Sequence, residues 1–395
     1  MADSFPSVFS ADDHSVFTTH DSALTLFATH HSLFFRLRQT DWPLLAAALS
    51  LVAIGLTAID SATESAPGAG PIERQLVWVA IAVVAMLIAA WPNYRLAERL
   101  AYAVFILCMP LLVAVYWTEP VNGAQRWLRA GPIGVQPSEL AKLAFVAALA
   151  RFLSRGKNAR RGWMLVVPVV LAAVPVALIL KQPDLGTAML FVPVLVAMLF
   201  GAGVRLKYLA VLVVAGVVAT PFLWKAMSLT QRSRITGFLE QRDTGPRPRD
   251  EGYQLYQSKL MVAFGGTSGA DDATELHLPF DHTDFIFSVV AGRWGLAGAT
   301  AVLVGFAVVV WRGLRIAARS PDPFGRLLAL GIVALLATQA VINMAMTVGL
   351  APITGLTLPF VSYGGSSLLA CFIAIGVLVN IGRRAEDSWS VAAQA

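Results

Sequence analysis

The chain has 395 residues, 57% of them apolar and 14% charged, with a formal net charge of +6. Soluble domains average about 45–50% apolar and about 25% charged residues, so the composition excludes a disordered chain and argues against an ordinary soluble enzyme. About ten membrane spans of about 20 residues would use roughly half of it, and its two cysteines, Cys108 and Cys371, sit inside apolar runs as thiols, not as a disulfide or metal pair.

Residues 1–38 read as a polar cytoplasmic tail containing Ser, His and Asp, without the basic start and clean apolar core of a secretory signal. Ten apolar segments follow, at about 43–62, 76–92, 99–117, 139–153, 163–180, 184–203, 206–224, 284–311, 327–350 and 363–382. Helix is the expectation for each, because an open strand cannot satisfy its backbone in lipid. The expected fold class is all-α: a polytopic membrane helical bundle with about ten transmembrane helices over residues 39–385. Pro110, Pro175 and Pro193 interrupt spans and suggest kinks. Residues 225–283 form one large loop, a length that marks function or disorder. Its middle, Tyr253 to Phe264, places apolar residues at helical spacing before Gly265-Gly266-Thr267-Ser268-Gly269 breaks the pattern. Residues 386–395 are a second tail.

The basic residues set the orientation. Arg36 and Arg38, Arg95 and Arg99, Arg151 and Arg155, Arg205 and Lys207, Arg312 and Arg315, and Arg383 and Arg384 all fall on the same side once the N-terminus is placed inside. Both termini are then cytoplasmic and the large loop is extracytoplasmic. The same alternation leaves no contiguous basic face, so no nucleic acid is expected as a partner.

Polar groups inside a membrane are expensive and mark functional candidates. Asp60, Glu139, Asp184 and Asp284 lie at the outer edges of spans, as do Arg126, Arg129, Lys142 and Lys181. An outward-facing polar cavity is the simplest explanation. Glu139 and Lys142, at i and i+3, form either a functional pair or an ion pair that locks a short helix. Asp184, after Gln182 and Pro183, has the position of a helix N-cap. Asp284 is either a cap or, crowded by Asp281 and His282, a general base. That cluster, with Asp271, Asp272 and Glu275 nearby, carries ligand types suited to a divalent cation, Mg or Mn, although its spacing specifies none. Gly364-Gly365-Ser366-Ser367 before the last span is either a phosphate-cradling turn or a tight capping turn.

Five strings carry more. Asn122-Gly-Ala-Gln-Arg-Trp-Leu128, Gln136-Pro-Ser-Glu-Leu-Ala-Lys142, Gln182-Pro-Asp-Leu-Gly-Thr187, His282-Thr-Asp-Phe-Ile-Phe287 and Leu358-Pro-Phe-Val-Ser-Tyr-Gly-Gly-Ser-Ser367 occur in that order. Over about residues 40–385 the chain resembles the SEDS family, to which FtsW, RodA and SpoVE belong. The resemblance implies a peptidoglycan glycosyltransferase that polymerises lipid II, the undecaprenyl-diphosphate-linked disaccharide peptide, at the outer face of the bacterial cytoplasmic membrane. It implies a class B penicillin-binding protein as partner. It also implies Asp284 as the catalytic residue, with Glu139, Lys142 and Arg234, or else Arg232, of importance. Arg126, Gln182, Asp184, His282, Thr283, Ser362, Tyr363, Gly364, Gly365 and Ser366 complete the expected substrate-binding set. A lipid-linked precursor flippase and a catalytically silent scaffold for the penicillin-binding protein are the alternative functions. Gly292-Arg293 stands where the family commonly has two glutamates.

Overall fold

The computed structural model describes residues 40–63, 71–120, 125–130, 133–155, 165–241, 251–270 and 282–392. The architecture below belongs to the unit Asp41–Ala395. Among the described residues it has twelve α-helices: α1 Trp42–Thr63, α2 Pro71–Ala90, α3 Arg95–Ala114, α4 Pro137–Arg155, α5 Val166–Lys181, α6 Leu185–Gly201, α7 Leu206–Ala226, α8 Leu229–Leu239, α9 Glu251–Gly265, α10 Ile286–Arg319, α11 Pro323–Thr347 and α12 Gly365–Ala392. Between α3 and α4 lies a hairpin of β1 Leu128–Ala130 and β2 Ile133–Val135, antiparallel with Arg129 opposite Gly134.

Each of the ten apolar segments coincides with a helix. Six of these (α1, α2, α3, α10, α11 and α12) are long and apolar enough to cross a membrane, while α5, α6 and α7 are apolar but shorter. The fourth segment is helix α4, which carries Glu139 and Lys142 into the protein interior. The loop 225–283 is more structured than expected. It holds α9 where a helix was expected, and also α8, which starts with a capping box between Ser228 and Gln231. The hairpin was not anticipated, and α12 continues past residue 385 into what reads as a tail.

Local chemistry sets several helix starts. Asp41 accepts from Leu44 N, Asp184 from Thr187 N, and Asp322 from Gly325 N with Pro323 in the first helical turn. Pro110, Pro175 and Pro193 sit inside α3, α5 and α6, which continue through them. The sharp break is elsewhere, at Gly295 in α10, where φ is 59° and ψ is −149°. A β-carbon at Gly295 would lie 2.5 Å from Gly269 N. The glycine turn after α9 closes onto this break: Leu296 N donates to Gly266 O and Ala270 N to Gly292 O, each at 3.0 Å. Gly292 therefore stands where two backbones meet.

α11 and α12 are the most buried candidate spans and α2 among the least. α12 packs along α2, and α11 against α10, α6 and α4. Leu76, Val77, Val84, Leu87 and Ile88 of α2 point outward, which suits hydrocarbon rather than water. Trp42, Trp91, Trp117 and Trp311 are exposed near helix ends, as interfacial anchors are.

Candidate active site

The connection from α11 to α12, residues 348–364, folds back against the turn 282–285. Asn343 Nδ2, from α11, donates to Asp284 O at 2.8 Å and to Leu356 O at 2.6 Å. Ser362 Oγ donates to Thr283 O at 2.5 Å, and Tyr363 N donates to His282 O at 2.9 Å. The His282 ring meets Tyr363 edge-on at 5.7 Å. These contacts bring His282, Thr283, Asp284, Ser362 and Tyr363 together as the sequence suggested.

Asp284 does not cap a helix. The N-cap of α10 is Phe285, and no side chain accepts a hydrogen bond there. The carboxylate instead faces charges from other elements. Its pKa is raised to about 6: removal from water is the main cause, opposed by Arg234 and Arg126, reinforced by Asp184 and eased by a hydrogen bond from Thr283. Gly355 lies beside it, so that a β-carbon built there would be 3.3 Å from Arg234 Nη1 and 3.6 Å from Asp284 Oδ2. Arg234 of α8 is thus the loop arginine at the site. Arg232 turns away and donates to Trp224 O and Lys225 O, closing the corner between α7 and α8.

Arg126, just before the hairpin, reaches the other carboxylate. Its Nη1 is 3.9 Å from Asp184 Oδ1, and it donates to Gln182 O and Pro183 O. Asp184 combines two roles. As the N-cap of α6 it accepts from Thr187 N at 3.1 Å and Thr187 Oγ1 at 2.9 Å, while Gln136 Nε2 donates to it at 3.4 Å. Gln182 is buried and donates to Leu112 O, so its amide ties the turn to α3.

Glu139 and Lys142 point away into the core. Lys142 Nζ donates to Glu139 Oε1 and to Gln339 Oε1, both at 2.9 Å, and the two charged residues are 5% and 2% exposed. The glycine-serine turn behaves as a packing turn. Ser366 Oγ accepts from Gln136 N and donates to Gly134 O, Ser367 Oγ pairs with Thr357 Oγ1, and Gly364 N donates to Gln75 Oε1. Gly365 lies against the Trp78 ring. Of the remaining outer-edge cations, Lys181 lies over the Tyr116 ring and Arg129 is exposed on the hairpin.

Asp271, Asp272, Glu275 and Asp281 lie outside the described residues. Among the described residues no group of three or more His, Cys, Asp or Glu residues could hold a metal ion. Sequence reasoning missed Gln75, Gln339, Asn343 and Thr357. The signal for two of them was present: Gln339 and Asn343 are polar residues four apart in an otherwise apolar segment.

The fold and site define a multi-pass helical membrane protein with two carboxylates and two arginines converging beside a re-entering connection. The FtsW/RodA/SpoVE family, described as cell cycle protein, matches residues 38–387. The chain is 37% identical to stage V sporulation protein E of Bacillus subtilis over 323 residues, 79% of this chain and 86% of that one. It is 35% identical to the peptidoglycan glycosyltransferase MrdB of Escherichia coli K12 over 319 residues, covering 79% and 85%. A solved chain from a peptidoglycan synthase complex that coordinates polymerization and crosslinking superposes with a TM-score of 0.77 at 30% identity, over 88% of this chain and 98% of that one. The chain belongs to the FtsW/RodA/SpoVE family.

Proposed function

We propose that the protein is a peptidoglycan glycosyltransferase that polymerises lipid II, with Asp284 as general base. The observation that carries this reading is that Asp284 and Arg234 both lie against Gly355, with the charges of Arg126 and Asp184 acting on the same carboxylate. An acceptor sugar hydroxyl gives its proton to the Asp284 carboxylate as its oxygen attacks the anomeric carbon of the donor. The bond from that carbon to the diphosphate breaks, and undecaprenyl diphosphate departs with the electron pair. Arg234 and Arg126, both half-buried, supply positive charge for the leaving group. The raised pKa of Asp284 suits a base that must later give up its proton near neutral pH. A divalent cation, Mg or Mn, is the other candidate counter-charge; its carboxylates would come from Asp271, Asp272, Glu275 and Asp281, which precede Asp284 in the sequence.

The site lies at the ends of apolar helices, where a polyprenyl tail can stay in lipid. The proposal includes a class B penicillin-binding protein that crosslinks the product, and a cytoplasmic-membrane location with both termini inside. The test is incubation of the purified protein and that partner with lipid II. Wild type makes glycan polymer; Asp284→Asn, which keeps shape without charge, loses it by on the order of 10²-fold or more. A flippase or a scaffold yields no polymer in either case, and polymer from Asp284→Asn at near wild-type rate removes the base.

A further inference from the structure

Asn343 lies one turn from the end of α11 and is fully buried. Its one amide group supplies both hydrogens described above, one to Asp284 O and one to Leu356 O. With Ser362 Oγ on Thr283 O and Tyr363 N on His282 O, three consecutive carbonyls of the 282–284 turn are held by donors. Asn343 joins that turn both to α11 and to the stretch that carries Gly355. One helical turn earlier, Gln339 Nε2 donates to Thr357 O at 2.9 Å while its Oε1 accepts from Lys142. Gln339 and Asn343 therefore grip the adjacent residues 357 and 356 from one helix face.

We infer that Asn343 is a positioning residue for Asp284, fixing the backbone of that turn so that the carboxylate faces Arg234 across Gly355. The inference rests on Asp284 being the base. No helix cap holds the turn, since Phe285 takes the N-cap position without a side-chain bond. The acceptor end of the same amide, Asn343 Oδ1, is buried with no hydrogen-bond partner among the described residues. Leaving a buried oxygen unmatched is unfavourable. An amide kept there on those terms is kept for its two hydrogens, and both go to the segments that flank the site. Small displacements of a reacting group are costly: about 1 Å can cost about 10²-fold in rate.

The experiment measures lipid II polymerisation by the purified protein with its class B penicillin-binding protein, against pH and lipid II concentration. Asn343→Leu keeps the approximate shape and removes both donors. The expected result is a fall in kcat of about 10-fold or more with KM changed less than about twofold. The midpoint of the pH–rate rise should move upward from about 6, as the carboxylate loses its alignment with the two arginines. A residue that serves only folding would lower the yield or melting temperature and leave kcat per folded molecule and the midpoint unchanged, and that result overturns the inference. If Asn343→Leu does not fold, Asn343→Gln decides, because it keeps both hydrogens but displaces them by one methylene. A lower kcat with a shifted midpoint supports positioning; wild-type values overturn it. Polymer made by Asp284→Asn would instead sink the base assignment, whatever the Asn343 variants do.

Discussion

Gly355 lies against both Asp284 and Arg234, so that a β-carbon at position 355 would fill the gap beside them, 3.6 Å from Oδ2 of the carboxylate and 3.3 Å from Nη1 of the guanidinium. The residue has φ of 70°, in the left-handed region that other residues enter at a cost of about 1 kcal/mol or more. Gly355→Ala therefore carries two penalties, a small one in stability and a larger one in the site. Polymerisation should fall about 10-fold or more while the melting temperature falls by only a few degrees. Wild-type turnover in folded Gly355→Ala would mean that the reacting oxygen does not use this gap.

The raised pKa of Asp284 has consequences for both activity and stability. A base must be ionised, so the rate should climb with pH and reach half its plateau near 6. For stability the sign is the reverse. The folded protein holds the Asp284 proton more tightly than the unfolded chain, so its contribution is fully present below about pH 4 and is lost as pH rises through about 6. Asp284→Asn should therefore match wild type in stability near pH 4. Above pH 6 it should gain on the order of 1–3 kcal/mol. Melting curves of both proteins at pH 5 and pH 8 check this, and an equal difference at the two pH values would contradict it.

Much of this was legible because membrane helices announce themselves as long apolar runs, and each of the ten runs became a helix. The N-cap role of Asp184 was legible for a local reason: a carboxylate followed three residues later by Thr187 N needs no tertiary information. The assignment of Asp284 split on non-local facts. Sequence alone left cap and base open, and the structure removes the cap, since Phe285 takes that position. Arg234 was preferred to Arg232 in sequence, but the two stand only two residues apart on one helix. The α7–α8 corner, which occupies Arg232, agrees with that preference. The hairpin at 128–135 escaped because its strands are three residues each, too short for a pattern.

The basic flanks predict a definite topology. Thr267 and Ala318 are both exposed, one in the glycine turn after α9 and the other near the end of α10. Cys108 and Cys371 are buried thiols and can be replaced to give a silent background. In intact cells an impermeant thiol reagent should label Thr267→Cys, and should label Ala318→Cys only after the membrane is opened. Labelling of Ala318→Cys from outside would reverse the orientation, and with it the side on which Asp284 works.

Glu139 and Lys142 distinguish a structural role from a catalytic one. Both charges are buried at 2.9 Å separation, and Lys142 also holds Gln339, whose amide holds Thr357 O. Removing one partner strands the other charge, which typically costs about 3–5 kcal/mol. Lys142→Met should therefore lower the melting temperature sharply and take activity with it. Replacing both, as Glu139→Gln with Lys142→Met, leaves no charge stranded and keeps a similar volume, so most of the stability should return. If the pair acts by bracing the connection through Gln339, the double variant should also regain a measurable part of its polymerising activity. If Lys142 instead contacts the diphosphate, the double variant will be stable and inactive. Melting temperature and lipid II turnover measured on the same preparations separate these outcomes, and a stable, inactive double variant would move Lys142 from the core of the protein into its active site.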